Sequence, residues 1–166
     1  MAPTYKFRNL IKTILLLASL IPSLGLADTI IGKVIFVADG DTITVISEGI
    51  KYKIRLSGID APEKKQTYGV HSKQSLVDMV SKQTVSVSYN KRDRYKRIIG
   101  KVILDGQDIN LEQIRRGLAW HYKSYQREQE VEDMALYAQG EYLAQKGRLG
   151  LWKDVNPIAP WDFRKK

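Results

Sequence analysis

The 166-residue chain contains no cysteine. That absence excludes a disulfide framework, a thiolate metal centre and a cysteine nucleophile together. Histidine is almost as scarce. His71 and His121 stand far apart with no acidic or sulfur partner at ligand spacing, so no zinc site is spelled out. His71 is expected on a helix surface, and His121, between aromatics, as a packing or hydrogen-bonding residue rather than a catalytic base. After residue 27 there is no internal repeat and no Gly/Ser-rich linker, which argues for one domain rather than a string of modules. Without disulfides such a domain must be held by its buried core, and 43% apolar residues in a chain of this size permit that.

Long apolar runs are missing too, with one exception. "TILLLASLIPSLGLA" (13–27) carries no charge and follows Lys6, Arg8 and Lys12, and Gly25 and Ala27 supply the small residues of a cleavage site. Its apolar core is short and interrupted by Pro22, as suits a cleaved signal peptide over 1–27 better than a retained anchor. The mature domain is then 28–166, secreted or periplasmic. Acid is in deficit, with 18 Asp and Glu against 27 Lys and Arg and a net charge of +9. Three of those cations lie in the leader and every acid lies beyond it, leaving about +6, an excess that favours polyanions through counterion release.

Short alternating segments make up much of the rest. Residues 30–37 and 42–46 are rich in Ile and Val and flank an Asp-Gly pair, the mark of a hairpin. After a Glu48-Gly49 turn, Tyr52, Ile54 and Leu56 alternate with Lys51, Lys53 and Arg55, which reads as a half-buried third strand. Helical spacing over 70–80 is followed by alternation over 84–89 and 98–104. A short helix is expected after the Asp105-Gly106 turn, capped by Asn110, and a last helix over 130–146 with Val131, Met134, Ala135, Ala138 and Tyr142 on its buried side. Five short strands with a helix after the third predict an α+β fold, a five-stranded barrel of the oligonucleotide-binding (OB) type flanked by about three helices.

Three stretches hold polar residues that this architecture does not require. In "VADGDTITV" (37–45) a turn accounts for Asp39 and Gly40, whereas Asp41 falls where a strand should have begun and Asp is poor strand material. In "RLSGIDAPE" (55–63) Gly58 can bend the chain so that Arg55 and Asp60 face one cleft, and Pro62 fixes the backbone before Glu63. In "KRDRYKR" (91–97) five cations surround Tyr95, a pattern equally suited to a solvated loop and to contact with nucleic acid. Were Asp41 and Asp60 to approach each other, they would form a hard oxygen site suited to Ca²⁺ and completed by backbone carbonyl and water. Glu63 could then take a proton from water attacking a phosphodiester, with Arg55 and Arg97 on the phosphate oxygens.

"DGDT", "RLSGIDAPE", the basic loop with Tyr95 and Arg97, "GLA" (117–119) and "LGLW" (149–152), in that order, resemble the staphylococcal nuclease (thermonuclease) family. The resemblance runs from about Gly32 to Trp152. It implies a Ca²⁺-dependent phosphodiesterase acting on DNA and RNA, with Asp41, Asp60 and the carbonyl of Ala61 as metal ligands. It further implies Glu63 as general base, Arg55 and Arg97 as phosphate clamps, and Arg94, Tyr95 and Tyr122 as substrate contacts. The sequence departs from the family's pattern in three places: Ala61 stands for threonine, Lys96 for the glycine before the arginine, and Trp120, His121, Tyr122 and Tyr125 for paired tyrosines. Trp152 and "APWDFR" (159–164) are expected to pin the C-terminus to the barrel. A monomer is the expected state. The competing expectation is a non-catalytic OB-fold module that binds nucleic acid, which would have no need of Asp41, Asp60, Glu63, Arg55 and Arg97 together.

Overall fold

The computed structural model describes residues 28–165, so the expected leader at 1–27 lies outside the described residues. Strands β1 (Asp28–Asp39), β2 (Thr42–Ser47) and β3 (Ile50–Leu56) form the expected meander. Its first turn is not the Asp39-Gly40 pair. Asp39 ends β1 opposite Thr42, so Gly40 and Asp41 are the two turn residues. The second turn, Glu48-Gly49, has positive φ at both positions, the geometry that matches the twist of a two-residue hairpin.

A short strand β4 (Ile59–Asp60) follows, then α1 (Gly69–Val80), β5 (Thr84–Arg92) and β6 (Ile98–Leu104). The first half of β1 pairs antiparallel with β5 and the second half with β2, with register slips beside Val34 and Val37 that bend the long strand. β5 pairs antiparallel with β6, and β6 runs parallel to β3 with Ile98 opposite Ile54, which closes the five-stranded barrel. Closure over Ile54–Leu56 buries the inward row, including Val34, Ile43, Val45, Ile54, Val87 and Val102. Each such side chain contributes about 1.5–3 kcal/mol of burial.

The chain continues through β7 (Gln107–Asp108), α2 (Ile109–Arg115), β8 (Trp120–His121), which pairs with β4, then α3 (Val131–Lys146) and the single turn α4 (Pro160–Phe163). Asn110 is not the cap of α2. Asp108 accepts from the Leu111 N–H at 3.0 Å, while Asn110 is fully buried and bonds across to the barrel. The buried face of α3 is also not the expected one. Val131, Ala135, Ala138 and Tyr142 face water, and Tyr137, Gly140, Glu141 and Ala144 face inward. The C-terminus is pinned as expected. Trp120 packs edge-on against Trp152 at 4.3 Å and against Trp161 at 5.5 Å. Among the described residues no helix is long and apolar enough to cross a membrane.

Candidate active site

Gly40 allows the β1–β2 turn to lie against two helices. A Cβ there would stand 1.9 Å from Ser72 Oγ of α1, and the Gly40 carbonyl accepts from Gln113 Nε2 of α2 at 2.8 Å. The turn is thus fixed from behind, and Asp41 projects from it into a cleft. Asp39 completes the turn by accepting the Asp41 N–H at 3.1 Å. Burial first, and then the adjacent charge of Asp41, push the Asp39 carboxyl up to about 6.

Arg55 and Asp60 arrive by the route that the sequence suggests. Gly58, with φ of +72°, turns the chain between β3 and β4 and brings Asp60 back beside Arg55. The Arg55 guanidinium bridges the two carboxylates, Nη1 to Asp41 Oδ1 at 2.6 Å and Nη2 to Asp60 Oδ1 at 2.8 Å. Asp41 and Asp60 are only 4% and 1% exposed. Burial opposes the Arg55 charge, but the charges and hydrogen bonds of Asp41 and Asp60 outweigh it and raise its pKa above the ordinary value. Asp41 also accepts from Thr42 Oγ1 at 3.0 Å and, through Oδ2, from the Ala61 N–H at 2.9 Å. The residue expected to offer its carbonyl to a metal is thus tied to Asp41 through its own N–H.

Glu63 sits at the rim, its side chain 41% exposed. Its carboxylate is held by a residue that no sequence pattern places here. Arg164, just beyond α4, donates through Nη1 to Glu63 Oε1 at 2.7 Å and through Nη2 to Asp60 Oδ2 at 2.7 Å. Asp60's hydrogen bonds come first among the causes that raise the Arg164 pKa.

The cleft encloses about 810 Å³ between these groups, the β5–β6 loop and the segment leading into α3. Arg97, Arg94, Tyr95 and Tyr122 all line it, so every site residue expected from the sequence lies at this cleft or, for Asp60, directly behind it. Arg97 is set apart from the carboxylates and engages Asp93, Nε to Oδ2 at 2.7 Å. Burial works to raise the Asp93 carboxyl, yet hydrogen bonds from Arg97 and the Tyr95 N–H leave it below its ordinary value. Lys96 takes the left-handed backbone, φ +62°, in which a glycine would be unstrained. Tyr95 is 64% exposed, with the Arg94 and Arg97 guanidinium groups 4.8 and 5.5 Å from its ring centre. Tyr122 lies between the rings of Tyr125 and Trp161, at 5.2 and 5.3 Å. His121 is buried and bonds Gln129 through Nε2 at 2.9 Å, the packing and hydrogen-bonding role expected of it, while His71 is exposed.

The donors fit a hard cation in kind. Two buried carboxylates lie one guanidinium apart beside a main-chain turn, with no sulfur or imidazole among them. Among the described residues no cluster of three His, Asp or Glu side chains is assembled as a complete metal cage, so backbone and water would have to supply the remaining ligands.

A closed OB-type barrel with an acid and arginine centre in a cleft that a basic segment walls on one side defines a class of phosphate-handling proteins. The family model described as staphylococcal nuclease homologue matches residues 53–154, and the chain belongs to that family. Its relatives include a protein of Haemophilus influenzae named an uncharacterized endonuclease, 40% identical over 81% of this chain and 72% of the relative. An Escherichia coli protein of the same name is 41% identical over 81% of this chain and 85% of its own length. A protein of Shigella flexneri named micrococcal nuclease is 36% identical over 81% and 80%.

Proposed function

We propose that the chain is a calcium-dependent nuclease that hydrolyses phosphodiester bonds of both DNA and RNA with little sequence preference. Membership of a nuclease family makes it a hydrolase of phosphodiesters and nucleic acid its substrate. The metal and the breadth of substrate are the finer parts of the proposal. The observation that carries them is the convergence of Asp41, Arg55, Asp60 and Glu63 from three separate segments at one end of a cleft whose wall is the 91–97 loop.

Asp41 and Asp60, with the Ala61 carbonyl, would hold the cation. When bound, Ca²⁺ offsets the carboxylates' charge and draws electron density from a phosphate oxygen. Glu63 accepts a proton from the water that attacks phosphorus, a role its partial exposure suits because water must reach it. As the phosphorus becomes five-coordinate, charge gathers on its oxygens, and the forked donors of Arg55 and Arg97 offset it. Arg97 is already oriented through its bond to Asp93. Arg94 and the open face of Tyr95 engage the nucleotide, and Tyr122 contacts it from the opposite wall. Phosphate contacts and stacking carry little base information, which is the physical basis for weak sequence preference. The leader's composition supports export to the periplasm or medium, and the chain acts as a monomer.

The test is cleavage of single-stranded DNA and of RNA by the purified chain, in calcium and then in chelator. Both substrates should be cut only with calcium, and Asp41→Ala should abolish the metal response. Glu63→Gln should lower kcat about 10²–10⁴-fold with KM little changed. Cleavage that continues undiminished in chelator would overturn the calcium assignment, and equal losses in binding and rate for Glu63→Gln would reassign that residue to structure.

A further inference from the structure

Arg164 lies 101 residues beyond Glu63, in a segment otherwise occupied with packing. Its position is nonetheless well determined. Ala159 and Pro160 are buried, and Trp161 packs on Trp120 and Tyr122, so the turn that precedes Arg164 is fixed to the body of the protein. A second link ties this segment to the loop that bears Glu63. Gln66 donates through Nε2 to the Ile158 carbonyl at 2.5 Å and accepts the Glu63 N–H through Oε1 at 3.1 Å. The C-terminal segment therefore holds Glu63 twice, by its backbone through Gln66 and by its carboxylate through Arg164. Among the described residues, Arg164 is the only side chain bonded to that carboxylate, and it simultaneously spans both oxygens of Asp60, at 3.2 and 2.7 Å.

We infer that Arg164 is a positioning residue of the hydrolytic centre, which fixes the Glu63 carboxylate relative to Asp60 so that the base is aimed before substrate arrives. This rests on the assignment of Glu63 as general base. A glutamate 41% exposed at the rim would otherwise distribute itself among rotamers. A planar guanidinium with fixed donors restricts it to one arrangement, whereas an ammonium group would act as a point charge. The C-terminus is thus part of the catalytic apparatus as well as of the packing.

Steady-state cleavage by Arg164→Ala, Arg164→Lys and their combinations with Glu63→Gln tests the inference. Arg164→Ala should lower kcat about 10–100-fold, the scale of a misplaced reacting group, and change KM less than about threefold. Millimolar methylguanidinium should restore part of the Ala variant's rate. In the Glu63→Gln background the same substitution should cost nothing further, because its effect passes through that carboxylate. Calcium affinity by titration calorimetry should hold or tighten, since Asp60 loses a competing cation. An equal loss whether Glu63 is intact or already substituted, a change confined to KM, or weakened metal binding that accounts for the rate would overturn the inference. If Arg164→Ala does not fold, Arg164→Lys carries the same comparison, and an unchanged kcat there overturns it. If Glu63→Gln itself leaves kcat intact, the base assignment fails and this inference with it. An impaired Glu63→Gln beside an intact Arg164→Ala removes only the role of Arg164.

Discussion

Two aspartates one residue apart divide the labour of a single turn. Asp39 closes the turn by accepting a backbone N–H, and Asp41 presents its carboxylate to Arg55. The cost of this proximity falls on Asp39, whose pKa is raised from 3.8 to about 6 by burial and by Asp41. Between those values the folded state binds the proton more strongly than the unfolded chain, so stability falls as pH rises through that window and stays lower above it. Asp39→Asn keeps an acceptor for the Asp41 N–H and removes the charge. In chelator, urea denaturation should show the variant matching wild type near pH 4 and exceeding it at pH 7 by about 1–2 kcal/mol, allowing for water's access to a half-buried group. A gap that does not change with pH would refute the linkage. At this scale the site was legible wherever a short stretch carries polar residues that the fold does not need. Arg55, Asp60, Ala61 and Glu63 fall within nine residues, and a single glycine bend suffices to gather them. Arg164 was not legible, because a lone arginine near a C-terminus has no pattern to mark it and only tertiary packing brings it to Asp60.

Elements became legible where one physical signal dominated. Inward and outward faces alternate along β6, whose limits follow from hydrophobicity alone, and Asp105-Gly106 makes the hairpin expected of it. β5 instead runs three polar residues past the expected end at 89, to Arg92, because pairing with β6 continues beyond the apolar alternation. α3 was misphased because its buried face is not an apolar stripe: one aromatic, Tyr137, is joined there by Gly140, Glu141 and Ala144. Glu141 is inside, accepting from the His121 N–H at 3.0 Å and Lys123 at 2.6 Å, and apolar Val131 and Tyr142 are outside. The same inversion governs α2. Asn110 looked like a cap because caps are where asparagine is common, yet it is the polar pin between α2 and the barrel. It accepts from the Val102 N–H at 3.1 Å and donates to the carbonyls of Ser57 and Gly100 at 3.0 and 3.2 Å. Asn110→Ala would leave the Val102 N–H and the Ser57 carbonyl without this partner, while the Gly100 carbonyl keeps the Ser57 N–H at 2.8 Å, so the loss in urea denaturation should be roughly 2 kcal/mol at about 1 kcal/mol for each orphaned group. Because Ser57 follows the strand that carries Arg55, nuclease activity should fall with stability. A loss below about 0.5 kcal/mol would mean that water replaces the amide.

Across the whole molecule the charges are sorted between the two walls of the cleft. The 91–97 loop contributes cations to one wall, and Glu128, Glu130 and Asp133 stand on the other, with Lys91 reaching across to Glu128. A polyanion is therefore drawn along the basic wall toward the Asp41–Arg55–Asp60 centre and kept from the acidic wall, which gives direction to a field that the net charge alone would leave diffuse. Each phosphate met by a cation on that wall releases condensed counterion, so log KM for single-stranded DNA should rise linearly with log salt at saturating calcium, by about 0.7 per phosphate engaged. Arg94→Gln removes one such cation without touching the carboxylates or Arg55. Its slope should be shallower by roughly 0.7. Reversing Glu128 on the far wall, as Glu128→Lys, should instead steepen the slope and lower KM at low salt, by opening a second cationic track. Measured side by side, the two variants should move the slope in opposite directions. If both leave it unchanged, nucleic acid does not run through this cleft, and the 91–97 loop is only a solvated hairpin.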